Sequence, residues 1–217
     1  VNERVQAACI RCGRDRQAVT IVAVTKYVGV AEAEDILTDG FTELGENRWQ
    51  NAKPKWEAIG ERANWHFIGH LQTNKVKDVV GRFSCIHSLD RLALAEEISR
   101  KAVQANVTVD VFIQLNVSGE TSKYGLAPTE LMAFAAQIRD LPGLRVVGLM
   151  TMAPYATVPE EARPVFRELR KLRDALNEEA IIPYPVEGLS MGMSGDYEVA
   201  IEEGATHVRL GSVLFDL

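Results

Sequence analysis

Short apolar runs alternate with stretches of helical period along the chain. No other feature constrains the fold as tightly. The runs lie at 19–27, 41–45, 65–69, 83–88, 109–117, 144–150, 188–191 and 207–210. Helical stretches are expected between them at 31–37, 46–60, 74–80, 90–105, 128–139, 160–179 and 196–203, with one more at 2–12 ahead of the first run. Pro54 would kink or restart the helix over 46–60, and Ser88 or Asp90 is available to cap the helix over 90–105. Strands that alternate with helices form a parallel sheet with the helices outside. Eight units in about 200 residues fit a (β/α)8 barrel near its lower size limit. A doubly wound open sheet is the alternative, but it usually has fewer strands. No linker, low-complexity tract or composition shift divides the chain. Residues 1–217 therefore read as a single-domain (β/α)8 TIM barrel with an extra N-terminal helix.

Composition narrows the class. Hydrophobic residues make up 47% and charged residues 25%, as in ordinary water-soluble domains. The 24 basic and 30 acidic residues leave a net charge of −6, which argues against a general nucleic-acid binder. No run reaches the roughly 18 apolar residues of a transmembrane helix. Three cysteines are too few for a disulfide framework, so a reducing cytoplasm is the simplest setting. Cys9 and Cys12 form a CxxC inside the first helix, ahead of any strand. A redox or metal role is weighed against a half-buried helix face, which is preferred. No metal is expected.

In a barrel of this kind the carboxyl ends of all strands share one face, where ligands bind. The run over 19–27 carries Lys26 near its end, either as a rim amine or as the first solvated residue after a strand. Two loops on the same face are rich in small residues and hydroxyls. Ser190-Met191-Gly192-Met193-Ser194-Gly195 follows the seventh run and leads into a helix, and Arg209-Leu210-Gly211-Ser212 follows the eighth. Loops after strands seven and eight are the recurrent phosphate site of this barrel. Ordinary tight turns are the plainer reading. A phosphate cradle facing a rim lysine points to a phosphorylated aldehyde, since an amine condenses with an aldehyde to a Schiff base. Pyridoxal 5′-phosphate (PLP) has both groups.

The same residues carry a family resemblance. Ala23-Val24-Thr25-Lys26 resembles the cofactor-lysine strand of the pyridoxal phosphate homeostasis proteins, which are similar to the N-terminal barrel of alanine racemase. Leu44-Gly45-Glu46-Asn47-Arg48 resembles their second-strand motif, and the stretch from Trp65 to Lys75 their most diagnostic signature. Ser122-Lys123-Tyr124-Gly125, Gly148 to Met152, Leu189 to Ser194 and Arg209 to Ser212 also match, in order. Length and lysine position look closest to the family's cyanobacterial member. Two departures stand out. Gly195 occupies a position that is usually acidic, which touches how the seventh helix begins. Leu214-Phe215-Asp216-Leu217 replaces the usual Phe-Gly ending and implies an altered or truncated C-terminus.

The resemblance implies PLP held on Lys26. Ser190, Ser194, Gly211 and Ser212 would hold its phosphate, Arg209 would approach the pyridine nitrogen, and Asn47 would lie near the ring hydroxyl or the Schiff base. A guanidinium beside that nitrogen disfavours its protonation and weakens the ring as an electron sink. Racemisation also needs a base on each face of the substrate, and only Lys26 is evident. The expected role is a monomeric cytoplasmic PLP carrier in vitamin B6 and amino/keto-acid homeostasis, with little or no turnover. PLP-dependent apoenzymes would be its recipients. The alternatives are a weak fold-type III enzyme of the amino-acid racemase kind and a regulatory protein that senses PLP.

Other residues are read more plainly. His66 and His70 do not converge as metal ligands on a strand, and His70 either touches the ligand or bonds to backbone. Lys53, Lys55, Lys75 and Lys77 form a solvated face or, less favoured, an RNA patch. Trp49, Trp56 and Trp65 are packing residues. Tyr124 either covers the site or packs on the surface. The charges over 160–173 read as a solvated helix face with i,i+4 pairs.

Overall fold

The computed structural model describes residues 1–121, 124–155 and 157–216. Eight strands run in sequence: β1 (Thr20–Val24), β2 (Glu43–Glu46), β3 (Asn64–Phe67), β4 (Cys85–Leu89), β5 (Val109–Gln114), β6 (Leu144–Met150), β7 (Gly188–Ser190) and β8 (His207–Leu210). Each pairs in parallel with its neighbours in sequence, and β8 returns to β1 to close the barrel. Ala23 marks the closure, with Leu44 of β2 on one side and Leu210 of β8 on the other. The (β/α)8 barrel expected from the alternation is present.

Helices α1 (Asn2–Arg11), α2 (Val30–Thr38), α3 (Trp49–Ile59), α4 (Val76–Val79), α5 (Leu92–Ala105), α6 (Leu131–Ile138), α7 (Arg163–Glu178), α8 (Tyr197–Glu202) and α9 (Ser212–Phe215) accompany the strands. The extra helix α1 packs on α8. Among the described residues, no helix is long and apolar enough to cross a membrane.

Side-chain alternation along each strand divides two packed regions. Trp65 and Phe67 of β3 and Ile86 of β4 join the apolar layer between barrel and helices. Cys85, Phe112 and Met150 form a small separate cluster. His66, His87, Ser190 and Arg209 are also buried, so the strands carry an unusual number of enclosed polar groups. Two glycines make room for Phe112. A Cβ on Gly148 would stand 2.5 Å from the Phe112 ring, and one on Gly188 would stand 2.8 Å from it. The ring instead stacks on His87, with centroids 4.4 Å apart.

Several boundaries differ from the sequence expectation, for local reasons. The first run stops as a strand at Val24, because Val28 N–H turns back to donate to the Thr25 carbonyl at 3.2 Å. The fifth stops at Gln114, and the Asn116 side chain then organises the loop, bonding the Glu120 carbonyl and the Gly119 N–H. Neither Ser88 nor Asp90 caps α5. Ser88 is buried within β4, and Asp90 pairs with Arg91 at 2.8 Å. The α3 helix runs through Pro54 without ending there. Ser122 and Lys123 of the expected Ser122–Gly125 motif, and Leu217 of the C-terminal departure, lie outside the described residues.

Candidate functional site

The C-terminal rim brings the candidate residues together by topology. β1 lies between β8 and β2, so Lys26 follows a strand flanked by the loops that carry Gly211 and Asn47. A Cβ on Gly211 would stand 3.5 Å from the Val24 carbonyl oxygen, which puts that loop directly against the end of β1. Lys26 is half-buried. Its Nζ lies 5.1 Å from the centre of the Tyr27 ring. Among the described residues it has no hydrogen bond or ion pair, which leaves a free amine at the rim.

The turn that carries this amine is held from below. Lys55 donates to the Thr25 carbonyl at 2.5 Å and to the Val28 carbonyl at 3.0 Å. Its Nζ also pairs with Glu46 Oε2 at 2.8 Å, and the Thr25 hydroxyl donates to the same carboxylate. Lys55 is only 3% exposed, which overturns its place on a solvated lysine face.

Ser194 joins the seventh and eighth loops. Its Oγ accepts from Gly211 N–H at 3.4 Å and from Val213 N–H at 3.2 Å. The loop is closed by Asp196, whose Oδ1 accepts from Met193 N–H at 2.7 Å. The carboxylate that the resemblance expects at position 195 is thus supplied one residue later. Burial pushes the Asp196 carboxyl above its ordinary value, against the opposing effects of the Met193 bond and Arg209. Ser212 is exposed at the start of α9.

Arg209 and Ser190 meet beneath the rim. Arg209 Nη1 donates to Ser190 Oγ at 2.6 Å, and Nη2 donates to the Thr151 carbonyl at 3.1 Å. Arg209 is 4% exposed, and no carboxylate among the described residues forms an ion pair with it. Burial pushes its pKa down to about 10. A buried cation whose direct partners are all neutral is costly, and a ligand that supplies an acceptor offsets that cost.

Asn47 stands apart from the Ser194–Gly211 junction. It lines a cavity of about 590 Å³ with Arg48, Gly69, His70, Lys75 and Tyr124. Gly69 is needed there, since a Cβ on it would stand 2.9 Å from the Asn47 carbonyl oxygen. His70 stacks face to face on Tyr124 with centroids 4.0 Å apart, so its partner among the described residues is an aromatic ring.

The sequence reading missed the groups behind Arg209. His87 Nδ1 lies 2.8 Å from Ser190 Oγ, and His87 Nε2 lies 2.9 Å from His66 Nδ1. A histidine within an otherwise apolar strand, as in Cys85-Ile86-His87, was the available signal. His66, Cys85 and His87 bring ligating atoms within 4.8 Å of one another. Burial drives the Cys85 thiol well above its ordinary value and so away from the thiolate a metal prefers, and the two imidazoles are hydrogen-bonded to each other. The CxxC cysteines are free, with Cys9 buried on α1 and Cys12 donating to the Ala8 carbonyl at 3.2 Å. The tryptophans pack as expected: Trp49 meets Trp56 edge-on at 6.0 Å, and Trp65 meets Phe83 at 6.3 Å.

This fold and rim define a barrel of the alanine racemase N-terminal domain class, and residues 6–217 match that family. A pyridoxal phosphate homeostasis protein of Aquifex aeolicus is 46% identical over 216 residues, covering 99% of this chain and 94% of the relative. The chain belongs to the pyridoxal phosphate homeostasis protein family. The solved structure of PipY from Synechococcus elongatus, with PLP bound, is 31% identical with a TM-score of 0.86, covering 99% of both chains. An alanine racemase of Clostridium difficile shares the fold alone, at 15% identity and a TM-score of 0.77. This chain spans 56% of its length.

Proposed function

We propose that the protein is a PLP-binding barrel that carries the cofactor on Lys26 and serves vitamin B6 and amino/keto-acid homeostasis, with little or no turnover. The observation that carries this reading is the Lys26 amine, unpaired among the described residues, on a rim that also holds Arg209, a buried cation that forms no ion pair among them. The donor set fits the group. An aldehyde takes the amine, a phosphate takes backbone N–H groups and hydroxyls, and an aromatic ring nitrogen takes a guanidinium N–H. When bound, PLP supplies an aldehyde carbon that bonds covalently to an amine and a ring that draws electrons from it.

The chain's own residues do the rest. Lys26 supplies the amine, and the turn fixed by Lys55 keeps it at the rim. Gly211 N–H, Ser194 and Ser212 hold the phosphate. The Val213 N–H that now bonds Ser194 is a further donor for it. Arg209 would offer an N–H to the ring nitrogen and keep protons off it, because two adjacent positive charges repel. Asn47 would lie near the ring hydroxyl or the Schiff base. The resemblance implies Ser190 as a phosphate ligand, but its hydroxyl is engaged by Arg209 and His87, so it serves the arginine instead.

The same proposal takes the molecule as a monomer of the cytoplasm that hands PLP to apoenzymes, without nucleic-acid or membrane partners. Three free cysteines and a net charge of −6 are consistent with that setting. Titration with PLP tests the reading. Wild type develops a visible absorption band, and Lys26→Ala does not. With D- or L-alanine the loaded protein turns over far below the order of 1 per second typical of enzymes. A band of equal strength in Lys26→Ala contradicts the carrier site, and enzyme-like turnover contradicts the carrier role.

A further inference from the structure

The groups linked to Arg209 form a chain whose hydrogen-bond direction can be worked out from donor chemistry. A guanidinium only donates, so Ser190 Oγ accepts from Arg209 Nη1 at 2.6 Å. The serine has one proton left to give. Its only other partner among the described residues is His87 Nδ1, at 2.8 Å. Giving that proton to His87 leaves the buried hydroxyl fully paired, so the nitrogen accepts and the proton of a neutral His87 sits on Nε2. His87 Nε2 faces His66 Nδ1 at 2.9 Å, so His66 accepts there and carries its own proton on Nε2. His66 Nε2 faces Glu43 Oε1 at 3.6 Å. This is an electrostatic contact beyond hydrogen-bond length, with the His66 side chain 5% and the Glu43 side chain 26% exposed.

We propose that Ser190, His87 and His66 are positioning residues, forming a one-way relay that orients Arg209 at the barrel mouth and ends on the Glu43 carboxylate. Every proton in it points away from the arginine and towards the carboxylate. The buried cation is thereby coupled to an anion four side chains away while its remaining N–H groups stay free for a ligand. This rests on the reading of Arg209 as a ligand-facing group.

The surroundings support neutral imidazoles at His87 and His207. Burial, and then the neighbouring His66, His207 and Arg209, hold His87 well below its ordinary value, and burial first of all lowers His207 to about 4. His207 packs 6.0 Å from His87 and 6.1 Å from His66, and its Nδ1 is engaged by Thr206 at 2.9 Å. Phe112, admitted by Gly148 and Gly188, closes the face of His87. Burial alone would raise the Glu43 carboxyl, but the contacts from His66 and Asn64 outweigh it and hold it low, as a relay terminus requires. Cys85 lies beside the pair with its thiol protonated.

Two measurements test the relay. Nitrogen-15 NMR of histidine side chains in the full-length protein without PLP should show His87 and His66 both as neutral Nε2–H tautomers. A coupling across the hydrogen bond between His87 Nε2 and His66 Nδ1 should also appear. An Nδ1–H tautomer at either residue, or a metal-shifted pair, overturns the relay whether or not PLP binds. The second is Ser190→Ala, which removes one buried oxygen. It should speed PLP release about tenfold, the worth of one hydrogen bond to a charged group. It should also shift the pH midpoint of the visible band, while the Lys26 adduct still forms. Unchanged release and an unchanged pH profile in Ser190→Ala overturn the positioning role. Absence of any Lys26 adduct in wild type would instead overturn the carrier reading and leave the tautomer test standing.

Discussion

At the scale of the residue, Lys55 decides how rigidly Lys26 is presented. Three oxygens enclose its Nζ: Glu46 Oε2 at 2.8 Å, the Thr25 carbonyl at 2.5 Å and the Val28 carbonyl at 3.0 Å. The two carbonyls bracket Lys26 and Tyr27, so one ammonium staples both ends of the turn. Glu46 is fully buried. Lys55→Met would leave it without a counter-charge, a loss on the order of 3–5 kcal/mol for a buried pair. Chemical denaturation should register a fall of that size, with faster PLP release. The paired change Glu46→Leu with Lys55→Met should recover much of the stability, because an apolar pair replaces a buried ion pair at little cost. A single variant as stable as wild type would show that the pair does not hold the turn. None of this was legible in the sequence, where Lys55 reads as one of four surface lysines. Its burial depends on a carboxylate nine positions earlier folding against it. The Arg209 relay was hidden for the same reason, since its contacts join residues 21 and 103 positions apart.

At the scale of the element, α7 and α8 are joined by charge. The arginines of α7 do not simply pair along their own helix. Arg163, Arg167 and Arg170 reach Glu203, just beyond α8, at 2.7, 3.2 and 3.3 Å, and Arg163 also meets Glu202 at 2.7 Å. Arg11 of α1 meets Glu202 from the other side at 2.8 Å. The i,i+4 expectation missed this because helical period shows which residues share a face, but not which neighbour the face meets. The i,i+3 contact of Arg163 with Glu160 and the pair Arg173–Asp174 stay local. Burial alone would raise the Glu203 carboxyl, but bonds from Arg167 and Arg163 hold it below its ordinary value. A carboxyl depressed in the folded state adds stability that is present above its unfolded pKa of about 4.3 and lost as pH falls through the folded value. Glu203→Ala should therefore cost about 1–3 kcal/mol at neutral pH, with the arginines partly hydrated. The difference from wild type should shrink in acid. An equal difference at pH 7 and pH 3 would contradict this account.

At the scale of the whole molecule, the barrel was legible because its signal is repeated eight times and needs no long-range information. Apolar runs separated by amphipathic stretches have few other ways to pack. The rim followed from the fold, and with it Lys26, Arg209 and the Ser194–Gly211 junction. The polar interior did not follow, since inward and outward residues of a strand buried on both faces look alike in sequence. Closure joins these parts: Arg209 on β8 comes beside the end of β1, which Lys26 follows, only because β8 returns to β1, while Asn47 follows β2 on the other side. The central claim is that this closure makes Lys26 the cofactor amine. Borohydride reduction of the PLP-loaded protein, followed by peptide mass spectrometry, tests it most directly. The account predicts a single pyridoxyl adduct on Lys26. An unmodified Lys26, or an adduct on another lysine in its place, would contradict it.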